Sequence, residues 1–315
     1  MRIGRAAGVT DTGRRRLRNE DAFVCEPPLF AVADGMGGAR AGETAARLAA
    51  AALEESRDGA DGQEGLVTLI VQANRRIWEL AIADPSKAGM GTTVTAALVD
   101  SAHETVAIGH VGDSRAYRLR GGSFEQLTTD HSLVAELVSS GVLTPEEAER
   151  HPQRSAITRA LGTEPSVEIE AFTISAEPGD LFLICSDGLP TMVSDEEIAT
   201  AILSSDCDPA SAAEALVAAA NAKGGEDNVT VVLFQLEEGD EVAAVTAGPV
   251  PPEEEVAGDP EAGVEQALPT SEVEEAAPDD VSRHGAGPGG RLAALALLAA
   301  IVVLVLVALY WGLGR

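Results

Sequence analysis

Residues 1–236 predict an α+β fold of layered antiparallel sheets, and three observations carry that reading. Strand-like and helix-like segments follow one another without a regular βαβ rhythm. The helical segments cluster between groups of strands. Two strand-like runs, 104–111 and 115–120, flank the short loop Gly112-Asp113-Ser114, the pattern of an antiparallel hairpin.

In chain order, the run 29–33 (LFAVA) is a continuous apolar strand ended by Asp34-Gly35. Helices are predicted over 41–57 and 64–83, which are rich in Ala and Glu with apolar residues spaced near 3.6. Strands follow over 92–99 (TTVTAALV), 104–111 and 115–120, then helices over 132–140 and 145–150. Strands at 167–174 and 181–185 (LFLIC), helices at 195–204 and 209–222, and a strand at 229–236 (VTVVLFQL) complete the series. The strands are β-branched or aromatic and are bounded by Gly, Asp or Pro.

The remainder of the chain has a different character. Residues 237–290 hold 15 acidic residues and one Arg among Pro, Gly, Ala and Glu. They have too few large apolar residues to bury a core and are expected to be a disordered linker spanning roughly 40 Å. Residues 292–313 (LAALALLAAIVVLVLVALYWGL) carry no charge. As a helix they would cover roughly 33 Å, enough for the hydrocarbon core of a bilayer. Tyr310 and Trp311 sit at one end, where amphipathic aromatics favour the interface. Arg283, His284 and Arg291 precede the stretch, and the N-terminus does not read as a signal peptide. The expectation is a single-pass anchor over 291–313 in the cell membrane, with residues 1–236 as a cytoplasmic catalytic domain.

Charge narrows the function. The chain holds 22 basic and 51 acidic residues, a net charge of −29. Such a surface repels nucleic acid. Cys25, Cys185 and Cys207 are too few and too far apart for a zinc knuckle or a disulfide framework, and no Cys has an Arg six positions later, so a thiolate phosphatase loop is absent.

Carboxylates stand out instead. Asp34-Gly35, Ser186-Asp187-Gly188 and Glu226-Asp227-Asn228 are short signatures in distant parts of the chain, and Asp21 lies in a further one. A single Asp-Gly is usually a turn. Asp34-Gly35 and Asp187-Gly188 both follow continuous apolar strands, which places each carboxylate at a strand end. Mg²⁺ and Mn²⁺ prefer oxygen ligands, so one metal centre assembled from these segments is the sharper reading. Gly35 lets the main chain approach, so its carbonyl is a further candidate ligand. The segment 11–21 is the most basic part of the chain. One Arg beside the carboxylates can fork onto a phosphate, whereas Arg14, Arg15 and Arg18 read as a solvated loop.

These residues fall in an ordered series of signatures. The series runs Thr10-Asp11-x-Gly13, Arg16-x-x-Asn19-Glu20-Asp21, Ala33-Asp34-Gly35-Met36-Gly37-Gly38, Gly89-Met90-Gly91-Thr92-Thr93 and His110-Val111-Gly112-Asp113-Ser114-Arg115. It continues through Asp130-His131-Ser132, Ile157-Thr158-Arg159-Ala160-Leu161-Gly162, Ser186-Asp187-Gly188-Leu189 and Glu226-Asp227-Asn228-Val229-Thr230. Over about residues 5–236 the chain resembles the metal-dependent protein phosphatase family, also called protein phosphatase 2C, in its bacterial form. The resemblance implies a four-layer α-β-β-α sandwich and hydrolysis of phosphoserine and phosphothreonine by a metal-bridging hydroxide. It implies that Asp21, Asp34, the Gly35 carbonyl, Asp187 and Asp227 hold two Mn²⁺ or Mg²⁺ ions, and that Asp113 joins Asp187 in a third site. Asp113 equally suits a hairpin turn. Glu20 would order metal-bound water, Arg16 would bind phosphate, and Asn228 would support the site by hydrogen bonding. Residues 137–162 resemble the flap beside the catalytic cleft. The implied partners are phosphorylated proteins, among them a bacterial Ser/Thr kinase and its substrates, and the catalytic domain is expected to be monomeric.

One position departs from the pattern of animal members. Where they carry a His proposed to protonate the leaving oxygen, this chain has Met36, which cannot donate a proton. His110 and His131 are chemically able substitutes, though each reads as a structural histidine. Two rival readings remain at this stage: a hydrolase of small phosphomonoesters, and a non-catalytic membrane-tethered module that binds phosphoproteins.

Overall fold

The structure, a computed structural model, describes residues 1–37, 41–57 and 59–239. The predicted linker beyond residue 239 and the predicted membrane span at 291–313 lie outside the described residues. Among the described residues no helix is long and apolar enough to cross a membrane.

The element order is β1 (Arg2–Asp11), β2 (Asp21–Glu26), β3 (Leu29–Met36), α1 (Ala41–Glu55), α2 (Gly62–Ala83), β4 (Gly91–Thr92), β5 (Val94–Asp100), β6 (Thr105–Val111), β7 (Arg115–Arg120) and β8 (Ser123–Gln126). It continues with α3 (Leu133–Ser139), α4 (Pro145–Glu149), β9 (Glu170–Ser175), β10 (Leu181–Cys185), α5 (Asp195–Ser204), α6 (Pro209–Ala222) and β11 (Val229–Glu237). One sheet runs β1-β11-β10-β7-β8, the other β2-β3-β5-β6-β9 with β4 paired to β3. Every pairing is antiparallel.

Three apolar layers hold the sheets and helices together. α1 and α2 bury Ala45, Ala49, Leu53, Leu66, Ile70, Ala73 and Ile77 against Leu29, Ala31, Ala33, Ala96 and Leu98 of the second sheet. The helical spacing of these residues, three and four apart, gives each helix one apolar stripe. α5 and α6 bury Ile198, Ile202, Ala213 and Leu216 against Leu181, Leu183, Val231 and Leu233 of the first sheet. Between the sheets, the Phe234 ring stacks on Phe30 at 4.1 Å and on Phe182 at 4.9 Å. Strand alternation explains the division. Leu29, Ala31 and Ala33 face the helices, and Phe30 and Val32 face the opposite sheet.

The hairpin predicted over 104–120 does not form. β6 pairs with β5 and β9, whereas β7 pairs with β10 and β8, so Gly112-Asp113-Ser114 carries the chain from one sheet to the other. β6 is buried over six successive residues and fills an interior position with a neighbour on each side. Gly112 makes the crossing at φ +113, where a Cβ would stand 2.5 Å from the Thr93 methyl. The Ser114 hydroxyl bonds that of Thr93 at 2.7 Å, and the Thr95 hydroxyl donates to the Ser114 carbonyl at 2.8 Å. The hairpin of this region is β7–β8, which turns through Gly121 and Gly122, both at positive φ.

Candidate metal centre

The same alternation that stacks Phe30 and Val32 between the sheets aims Asp34 there. Asp21 is its direct cross-strand partner, so both carboxylates sit on one face at one end of the sandwich. The other predicted residues come from chain ends at that rim. Asp187 follows β10 by two residues, Asp227 precedes β11 by two, and Asp113 lies in the β6–β7 crossing. The fold therefore brings Asp21, Asp34, Asp113, Asp187 and Asp227 together.

Hydroxyls and amides lock this rim. The Thr230 hydroxyl donates to Asp21 Oδ2 at 2.6 Å and lies 2.6 Å from that of Thr10. Asn19 donates to Thr10 Oγ1 at 2.7 Å and accepts from the Asp21 amide at 3.1 Å. Asn228 is the central clamp: its Oδ1 accepts from the Glu20 amide at 2.8 Å, and its Nδ2 donates to the carbonyls of Thr12 at 2.9 Å and Arg18 at 2.8 Å. Gly35 donates its N–H to the Glu20 carbonyl at 3.2 Å, and a Cβ on it would lie 2.3 Å from the Gly42 carbonyl oxygen. Only glycine lets these three segments meet. Gly188 has the same role at Asp187, with its missing Cβ 2.0 Å from the Asn228 carbonyl oxygen.

The electrostatics are those of an anionic ring with one cation, Arg16, paired to it. Burial, followed by neighbouring Asp charges, pushes Asp113 up to about 8. Burial likewise raises Asp21 to about 7 and Asp187 to about 6. Asp34 is raised well above the usual carboxylate range by burial and by Asp21, Asp187, Asp113 and Asp227. Asp21 Oδ1 and Asp187 Oδ1 are buried without any hydrogen-bond partner. Such oxygens are costly to leave unpaired. Arg16 Nη2 donates to Asp227 Oδ2 at 2.6 Å, and this bond, with the charges of Asp34 and Glu20, raises the Arg16 pKa.

The donor set fits hard divalent cations. It is all oxygen, it contains orphaned acceptors, and its ionisation is opposed first by burial and then by its own repulsion. Among the described residues no group of three or more His, Cys, Asp and Glu side chains closes into a ready-made cage.

Beside the ring lies a cavity of about 200 Å³, lined by Arg16, Asp187, Glu226 and Asp227 and, from a separate segment, by Arg154 and Ser155. The last two belong to the segment predicted as a flap. A larger open depression of about 450 Å³, at Asp61–Glu64, Asp100 and His103, contains none of the predicted site residues.

His110 and His131 are structural. His110 is fully buried, its Nδ1 lies 2.8 Å from the Thr95 hydroxyl and its Nε2 3.1 Å from the Thr129 carbonyl, and burial lowers its pKa to about 3. His131 Nδ1 accepts from the Gly112 amide at 3.1 Å, its backbone N–H donates to the Gly112 carbonyl, and burial lowers its pKa. Thr10, Asn19, Ser186 and Thr230, which orient the carboxylates, were not identified from sequence as site residues. All four lie within or beside the quoted signatures, which was the available signal.

A family model described as protein phosphatase 2C matches residues 12–242. The chain belongs to the protein phosphatase 2C family. Among its relatives in that family is the serine/threonine phosphatase stp of Listeria monocytogenes serovar 1/2a, 39% identical over 238 residues, covering 72% of this chain and 93% of that one. The crystal structure of the Mycobacterium tuberculosis serine/threonine phosphatase PstP/Ppp is similar at a TM-score of 0.71 and 42% identity, covering 75% of this chain and 100% of that one. The catalytic domain of PstP in complex with two manganese ions matches at a TM-score of 0.69 and 39% identity, covering 75% and 99%. The ring described above is thus the acidic centre of a protein phosphatase 2C family member.

Proposed function

We propose that the chain is a metal-dependent protein serine/threonine phosphatase. The observation that carries this reading is the ring of Asp residues, two with buried, orphaned oxygens, opening beside Arg16 onto one cavity. Relatives described as serine/threonine phosphatases, one of them solved with two manganese ions, support it. Asp21, Asp34, the Gly35 carbonyl, Asp187 and Asp227 would hold two Mn²⁺ or Mg²⁺ ions, with Asp113 and Asp187 serving a third. When bound, such ions supply Lewis acidity and lower the pKa of water toward neutrality.

The chain's own residues do the rest. Arg16 is about half-exposed and spends one N–H on Asp227, which leaves further guanidinium donors to fork onto the phosphate and to offset charge on its oxygens. Glu20 is fixed through its backbone by Asn228 and Gly35, and its carboxylate is assigned to ordering water. No phosphoenzyme is invoked, because Cys25 and Cys185 are buried with thiols pushed up to about 12 and neither lines the cavity. Met36, His110 and His131 give no proton donor for the leaving oxygen, so that proton is assigned to water.

The decisive experiment compares phosphothreonine peptides with p-nitrophenyl phosphate under added Mn²⁺ and under chelator. Metal-dependent peptide turnover is expected. Turnover of the small ester alone would point to a small-phosphomonoester hydrolase, and binding without turnover to a non-catalytic module.

We further propose that residues 291–313 anchor the phosphatase in the cell membrane with the catalytic domain on the cytoplasmic side, through the acidic linker 237–290. The uncharged apolar stretch supports this. The catalytic domain is proposed to be monomeric, and the family resemblance suggests a Ser/Thr kinase and its substrates as partners near the membrane. A chain truncated before Arg291 should move to the soluble fraction on cell fractionation, and retention in the membrane fraction would overturn the anchor.

A further inference from the structure

The distribution of cations across the domain is uneven in a way the phosphate chemistry does not require. Residues 1–236 carry 36 acidic and 19 basic side chains. Among the described residues, every Lys and Arg on the sheets and on the α1, α2 and α6 side stands in an ion pair with a carboxylate. Among the described residues, the Arg side chains in no ion pair are Arg14, Arg18, Arg150 and Arg154, and all four are exposed. With carboxylates nearly twice as numerous as bases, unpaired guanidiniums confined to two short segments call for a reason.

Both segments border the same cavity. The Arg14 and Arg15 amides donate to the Gly225 carbonyl at 2.8 and 3.2 Å, which seats the loop against Gly225-Glu226-Asp227. The Arg14 stem crosses Gly225, its Cγ 2.9 Å from where a Cβ would stand. Asn228 holds the Arg18 carbonyl at 2.8 Å. Within this loop Arg15 is paired with Glu226 and Arg16 with Asp227, so Arg14 and Arg18 remain available. Arg154 is part of the lining of the same cavity, and Arg150 stands four residues before it at the end of α4.

We propose that Arg14 and Arg18 on one lip, and Arg150 and Arg154 on the other, receive acidic side chains flanking the phosphorylated residue. The preferred substrates are then phosphorylated segments rich in Asp, Glu or further phosphate. This specificity rests on the phosphatase reading above. A domain this acidic repels such segments everywhere else, so the two lips decide where they land. Guanidiniums suit the task because their planar fork pairs with carboxylate and phosphate alike. Exposed pairs of this kind are individually weak and salt-sensitive, so the effect is collective and is lost when the Debye length shrinks.

The test uses three phosphothreonine peptides of equal length whose flanks are acidic, amide-bearing or basic, with p-nitrophenyl phosphate as a fourth substrate. The full chain should favour the acidic over the amide-bearing peptide by roughly tenfold in kcat/KM at low salt, and the preference should fall toward one at high salt. The variants R14Q/R18Q and R150Q/R154Q should each reduce that ratio, and the fourfold variant should bring it to about one. The ratio is internal to each preparation, so a general loss of activity does not imitate the result. Equal turnover of acidic and amide-bearing peptides by the unaltered chain, or a preference that survives the fourfold change, overturns the inference while leaving the phosphatase reading intact. Turnover of p-nitrophenyl phosphate with no peptide hydrolysed overturns both.

Discussion

Replacing Asn228 by Ala tests whether the site depends on one amide clamp. Asn228 is 5% exposed and makes three side-chain bonds to backbone groups of the 12–20 segment: from the Glu20 amide, and to the Thr12 and Arg18 carbonyls. At about 1 kcal/mol net for each intramolecular bond, the substitution costs about 3 kcal/mol. For a domain of this size, each kcal/mol shifts Tm by about 2–4 °C, so a fall of roughly 6–12 °C is expected by calorimetry. The freed segment carries Arg16 and Glu20 and leads into Asp21, so the Mn²⁺ concentration for half-maximal activity should rise together with KM. Asn228→Asp keeps an acceptor for the Glu20 amide, loses both donors and adds charge beside the ring, so it should be at least as damaging. A Tm within about 1 °C of the unaltered chain, or an unchanged metal requirement, would refute the reasoning.

The remaining predictions concern the ring and its Arg. Asp187→Ala should abolish metal-dependent turnover. The same change should raise, not lower, the Tm of the metal-free protein near pH 8, because it removes a buried carboxylate with an orphaned oxygen; wild-type turnover would show the assignment to be wrong. Arg16→Ala should raise KM for phosphopeptides by roughly tenfold or more while Tm stays nearly constant, since an exposed ion pair contributes at most about 1 kcal/mol; unchanged KM and kcat would argue against phosphate binding. The metal-free protein should also lose stability as pH rises from 6.5 to 8. Asp21, Asp187 and Asp113, at about 7, 6 and 8, bind more protons folded than unfolded, so the stability present below their unfolded pKa of about 4 disappears as pH climbs through the folded values. Buried neutral His110 opposes this trend only below its unfolded pKa of about 6.5, which sets the lower edge of the window. A flat or rising Tm across it in chelator would contradict the buried-ring account, and Mn²⁺ should remove the slope.

Much of this architecture was legible because burial writes itself into sequence. The runs LFAVA, LFLIC and VTVVLFQL are interior strands, and the Ala-rich helices carry their apolar stripes where the spacing put them. β1 was missed for an identifiable reason. Apart from Ile3, its residues, RIGRAAGVTD, are mostly small or charged, and it is a strand because larger neighbours fill the space: a Cβ on Gly8 would lie 2.4 Å from the Phe23 ring. β8 is exposed and charged, so it has no apolar pattern, although Gly121-Gly122 before it was a usable turn signal. The β6–β7 misreading has a deeper cause. A three-residue loop between two strands is local information, whereas the choice of pairing partner is not. β6 finds β5 and β9, and β7 finds β10 and β8, and each occupies an interior position, β6 through a continuous buried run and β7 through buried Ala116, Tyr117 and Leu119.

That misreading bears directly on the site. Had β6 and β7 formed a hairpin, Asp113 would have been the turn residue its local sequence suggests, solvated and titrating normally. Because the loop crosses between the sheets, Asp113 is carried toward Asp187 and raised to about 8 by burial and by its neighbours. The crossing is held by Thr93, whose backbone N–H donates to the Asp34 carbonyl at 2.9 Å and whose hydroxyl oxygen accepts from the Asp34 amide at 3.1 Å while also bonding Ser114. One buried threonine thus fixes the backbone of one ring Asp and the loop of another. The ring costs stability through its own repulsion, and residues such as Thr93, Thr230 and Asn228 offset that cost by hydrogen bonds that leave carboxylate oxygens free for an ion.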